Sequence, residues 1–68
     1  MKDWQKVYST EKIYRAEIVK DMLVNHNIMA VVIDKRDTAY QFGHYEVHVK
    51  TDDVLWAIKL IENDIQFE

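Results

Sequence analysis

The succession of hydrophobic periodicities predicts a small α+β sandwich, β-α-β-β-α with room for a short C-terminal strand, both helices on one face of an antiparallel sheet. Three observations carry that expectation. Residues 4–8, 28–33 and 44–50 are short runs rich in β-branched and aromatic side chains, the composition of strands. Two longer segments, one from about residue 11 to Asn25 and one after Thr51, carry apolar residues at helical spacing. Finally, 68 residues with one glycine, no proline and no cysteine leave room for a single domain, 1–68, whose one core has no disulfide or thiolate metal site to staple it.

In strand one, Trp4, Lys6 and Tyr8 alternate with Gln5 and Val7, which places the first three on one side. Ser9 and Thr10 follow as helix-capping types, and Glu11 suits the positive end of a helix dipole. In the helix that runs to about Asn25, Ala16, Val19, Met22 and Leu23 share one arc, while Tyr14, Glu17, Asp21 and Val24 lie opposite. Asn27 substitutes for the glycine that usually follows a helix, because asparagine tolerates left-handed backbone angles. His26, at that helix end, fits a bond to terminal carbonyls.

Ile28 to Ile33 is apolar on both faces, the pattern of a strand covered on two sides. Asp34 to Gly43 reads as a long connection, basic at Lys35 and Arg36, then aromatic at Tyr40 and Phe42. Gly43, the lone glycine, is expected to supply a positive φ there. Strand three alternates strictly: Tyr45, Val47 and Val49 face one way, and His44, Glu46, His48 and Lys50 the other. Thr51 is the expected cap of helix two, with Asp52 and Asp53 in its first turn. Val54, Ala57, Ile58 and Ile61 form its inner stripe, and Trp56 points outward. Ile65 and Phe67 fit either a short edge strand or packing against that helix. Together this order describes a split-βαβ, ferredoxin-like sandwich.

Composition narrows the function. Nine basic against twelve acidic residues give a net charge of −3, which disfavours nonspecific nucleic-acid binding. A single glycine excludes dinucleotide and P-loop motifs, so no cofactor is expected. Ser9 is the only serine and is taken up by the helix start, which leaves no nucleophile system and points away from an enzyme. The longest apolar run, Ile28 to Ile33, is far short of a membrane span, and the N-terminus lacks a secretory pattern, so a cytoplasmic location is expected.

Two surfaces stand out. Trp4, Tyr8, His44, Glu46 and His48 would share the open sheet face, and together with Trp56 they are the candidate surface for a homo-oligomer, dimer or trimer, or for another partner. Aromatics on an open sheet also fit a single-stranded RNA platform, the less favoured alternative because Glu46 sits among them. A metal-dependent activity at His44, Glu46 and His48 is the other alternative. Alternate strand residues lie about 6.6 Å apart, so one ion could not readily be held by all three, and no metal site is assigned. The second surface is the connection itself, where Lys35, Arg36, Asp37, Tyr40, Phe42 and Gly43 could meet a protein or a small anionic ligand.

Several stretches also carry a family resemblance: Val7-Tyr8, Ala16-Glu17-Ile18-Val19-Lys20, Asn27-Ile28, Asp34-Lys35-Arg36-Asp37 to Phe42-Gly43, Glu46-Val47 with Val49, and Ala57-Ile58-Lys59-Leu60-Ile61. Through them nearly the whole chain resembles the prokaryotic signal-transducing protein family, a small bacterial PII-like domain of unknown function. Asn27 replaces the expected glycine, and Leu55-Trp56 replaces polar surface residues. The resemblance implies a PII-like arrangement in which the connection between strands two and three meets targets. The glycine-rich and basic elements through which PII proteins hold nucleotide have no counterpart, so nucleotide binding is not implied.

Overall fold

A computed structural model describes residues 3–37 and 42–64, apart from the side chains of Arg36, Asp37, Phe42 and Asp64. Its elements are β1 (Trp4–Thr10), α1 (Ile13–Asn25), β2 (Ala30–Asp37), β3 (Phe42–Lys50), a 3-10 turn (Thr51–Asp53) and α2 (Val54–Asp64). The strands form one three-stranded sheet in the order β1-β3-β2, with β3 antiparallel to both neighbours. β1 and β2 therefore run parallel to each other on either side of it. The protein is a small α+β fold, as its periodicities predict.

The core forms on one face of this sheet. Ala16, Val19 and Leu23 of α1, Val47 and Val49 of β3, and Ala57 of α2 are all fully buried in one cluster. Both helices therefore cover the face that Val47 and Val49 present, and among the described residues the opposite face carries no helix. The arc expected for α1 holds, with Met22 at its margin. In α2, Ala57, Val54 and Ile61 pack inward as expected and Leu60 joins them, while Ile58 is 37% exposed. Trp56 is 57% exposed, an outward position as the helical wheel requires.

The end of α1 shows why Asn27 stands where it does. Its φ is 65°, the left-handed region. That reversal lets the Asn27 amide donate to the Val24 carbonyl and the Ile28 amide donate to the Leu23 carbonyl, both at 3.0 Å. The two bonds satisfy carbonyls that the helix end leaves open, and Ile28 drops into the core against Leu23. His26 is exposed, and its backbone amide donates to the Leu23 and Met22 carbonyls.

Several expected local features are corrected. Ser9 and Thr10 extend β1 rather than capping α1; the residue at the cap position is Lys12, with no side-chain capping bond. The Thr10 hydroxyl instead accepts from the Lys12 amide at 3.2 Å. Glu11 precedes the helix, whose first turn holds no acid. Thr51 starts the 3-10 turn but does not cap it: its amide and hydroxyl both donate to the Asp3 carbonyl, at 2.9 and 3.1 Å. The residue thereby ties the start of β1 to the end of β3.

The expected long connection is largely ladder. β2 begins at Ala30 and runs through Lys35, Arg36 and Asp37, and β3 begins at Phe42, so that Asp37 pairs with Phe42 and Arg36 with Gly43. Partner hydrogen bonding recruits these polar residues into a strand that local composition does not favour. Gly43 has no positive φ, because it sits in extended backbone rather than at a turn. Tyr40 and the tail around Ile65 and Phe67 lie outside the described residues. Among the described residues, no helix is long and apolar enough to cross a membrane.

Candidate functional site

Residues directly opposite one another in a sheet share a face, so the register assigns each side chain. Trp4 pairs with Lys50, and Lys6 with His48. The register then slips between Lys6 and Tyr8, and Tyr8 pairs with Val47. Val7 is the extra residue of a β-bulge. One inserted residue inverts the alternation beyond it. Tyr8 is consequently turned to the helical side, where both it and Val7 pack on the core. This corrects the expected placement of Tyr8 beside Trp4; Ser9, opposite Glu46, takes that position on the open face. The adjacent apolar pair Val7-Tyr8, which breaks a polar-apolar alternation, is the sequence signal that could have shown it.

On the other flank, Val31, Ile33 and Lys35 of β2 stand opposite His48, Glu46 and His44. The open face thus has a central row of His44, Glu46, His48 and Lys50, bordered by Trp4, Lys6 and Ser9 on one side and by Val31, Ile33 and Lys35 on the other. Past Thr10, which pairs with Tyr45, β3 has no β1 partner. Lys35 and His44, Arg36 and Gly43, and Asp37 and Phe42 therefore form a two-stranded arm beyond the three-stranded sheet.

The row is internally bonded. One carboxylate oxygen of Glu46 accepts from His44 Nε2 and the other from His48 Nε2, each at 2.9 Å. An ionised carboxylate only accepts, so both rings carry a proton on Nε2. His48 Nδ1 is buried without a hydrogen-bond partner among the described residues. The bonds from His48 and His44 outweigh the opposing effect of burial and, with the nearby charges of Lys6 and Lys35, lower the Glu46 pKa from 4.5 to about 2. The Lys6 ammonium stands 3.9 Å from the carboxylate and is itself 54% exposed.

The lysines make this face basic. Among its described side chains, Lys6, Lys35 and Lys50 are exposed cations, and Glu46 is the one acid, with only 12% of its side chain exposed. On the helices and their leading turns the balance reverses: Glu11, Glu17, Asp21, Asp52, Asp53 and Glu62 outnumber Lys12, Arg15, Lys20 and Lys59. Lys50 lies over the Trp4 ring, 5.1 Å from its centroid, which orders the aromatic at one end of the face.

The structure thus brings Trp4, His44, Glu46, His48 and Lys35 onto one surface and sends Tyr8 and Trp56 elsewhere. No group of three or more metal-ligating side chains is placed to hold an ion among the described residues. Lys6 and Lys50 belong to the site, although sequence reasoning did not single them out; their alternation with Trp4 and with the strand-three histidines was the available signal. The structure defines a small α+β protein with one helix-covered face and one face that, among the described residues, is open and basic. Comparison with protein-family models, with curated proteins and with solved structures finds no match to this chain.

Proposed function

We propose that the chain is a non-enzymatic interaction module, akin to the prokaryotic signal-transducing family it resembles, that binds an anionic partner on the open sheet face beside the β2–β3 arm. The observation that carries this reading is the segregation of charge: three exposed lysines stand against one sheltered, ionised acid on the open face of a chain whose net charge is −3. The β1-β3-β2 order, with helices after β1 and after β3, supports a ferredoxin-like, PII-like sandwich. Under the same reading the protein acts in the cytoplasm and uses no cofactor.

Self-association belongs to a different surface. Leu55 and Trp56 are 85% and 57% exposed on α2, and this apolar pair is the contact we propose for a homo-oligomer. Pull-down from a bacterial lysate with the wild type and with a Lys6→Ala, Lys35→Ala, Lys50→Ala variant tests the module: a partner retained only by the wild type supports it, and identical profiles refute it. Light scattering of Trp56→Lys tests the oligomer, which requires the variant to be smaller than the wild type.

A further inference from the structure

We propose that the ligand of the open face is an acidic polypeptide segment, laid along β3 with carboxylates at Lys50, Lys6 and Lys35 and an apolar residue over Val31 and Ile33. This rests on the interaction-module reading and names the partner class for that site. The central row from His44 to Lys50 spans roughly 20 Å at strand rise, the length of an extended peptide rather than of a single small anion. The cations are spread along it: Lys50 at the Trp4 end, Lys6 opposite His48, and Lys35 opposite His44. Lys35 and Lys50 mark opposite ends of this row, too far apart for one small anion to meet both, whereas a chain of carboxylates reaches both and Lys6 between them.

Along its β2 flank the face is apolar and half-buried at Val31 and Ile33, which suits a side chain and offers nothing to a phosphate. Single-stranded RNA fits less well. A base-stacking platform needs several exposed rings, and the bulge turns Tyr8 to the core while Tyr45 lies on the same helical side. Trp4 is then the one aromatic on this face among the described side chains, and Lys50 covers it. A second copy fits poorly as well, because a two-fold stack of this face on itself would oppose lysines to lysines.

The test uses a Trp56→Phe background, in which Trp4 is the remaining tryptophan and its emission reports on the face. The probe is a capped oligoglutamate peptide with a central pair of phenylalanines, titrated at low salt beside inorganic phosphate and oligouridylate. The proposal expects a saturable change in Trp4 emission with the peptide, weakened about tenfold by Lys35→Glu or Lys6→Ala and by added salt, and unchanged by Lys59→Glu on α2. Circular dichroism checks that each variant is folded. Saturation by phosphate without the peptide would leave the anion-binding reading standing and overturn the polypeptide. Tighter binding of oligouridylate than of the peptide would overturn it in favour of nucleic acid. Silence from all three probes, or equal weakening by Lys59→Glu, would overturn both.

Discussion

Replacing Glu46 by glutamine should destabilise the protein at neutral pH and leave it nearly unchanged near pH 2. The magnitude follows from the bonds lost. A sheltered hydrogen bond to a charged group nets about 1.5–3 kcal/mol, and the Glu46–His48 pair qualifies, with side chains 12% and 15% exposed. His44 is 45% exposed and Lys6 54%, so together they add only about 0–1 kcal/mol. The carboxamide keeps one acceptor, and the expected net cost is about 1–2 kcal/mol.

The sign of the pH dependence follows from linkage. The folded pKa of Glu46, about 2, lies below its usual 4.5, so its stabilisation is complete above 4.5 and is lost as pH falls through 2. A protonated carboxyl and a carboxamide are near equivalents, so the wild type and Glu46→Gln should converge over that interval. Urea unfolding at several pH values from 7 to 2 reads it: with a slope of about 1 kcal/mol/M, the midpoints should differ by roughly 1–2 M at pH 7 and coincide near pH 2. A gap that stays constant across the range, or no gap at pH 7, would show that the His44-Glu46-His48 row is not bonded as described.

Other substitutions test the fold. Asn27→Ala should cost about 1 kcal/mol, because the residue holds a φ of 65°, whereas Asn27→Gly should be neutral or slightly stabilising; thermal melts separate the two. Tyr8→Ala should cost about 2 kcal/mol and the exposed Tyr14→Ala less than about 0.5, a difference that vanishes if Tyr8 lies on the open face. Gly43→Ala should be tolerated or stabilising by up to about 1 kcal/mol, since its backbone is extended and gains nothing from glycine's freedom; a large loss in the melt would restore the turn expected from sequence.

Much of the architecture is legible in local patterns. The alternation of Tyr45, Val47 and Val49 with His44, Glu46 and His48 reads directly as a half-buried strand, and Asn27 reads as a helix terminator because its chemistry is local. What escapes the sequence is non-local. Asp34 to Asp37 become strand because β3 offers them hydrogen bonds, not because their side chains prefer it. Thr51 looks like a cap and instead binds Asp3, a partner 48 residues away. The bulge at Val7 inverts the face of Tyr8 and so removes an aromatic from the site, while Lys6 and Lys50 acquire meaning only once the register sets them beside His48 and Trp4. Strand periodicity tells which residues share a face but not where an inserted residue resets it.

Amide chemical-shift mapping during titration with the oligoglutamate peptide tests the basic open face most directly. Perturbations are expected at Trp4, including its indole N–H, and at Lys6, Ser9, Ile33, Lys35 and His48, saturating together while Glu17, Asp21 and Lys59 on the helices stay still. Perturbations centred on the helices, or scattered shifts that never saturate, would contradict the claim that the bare face of the sheet is where this protein meets its partner.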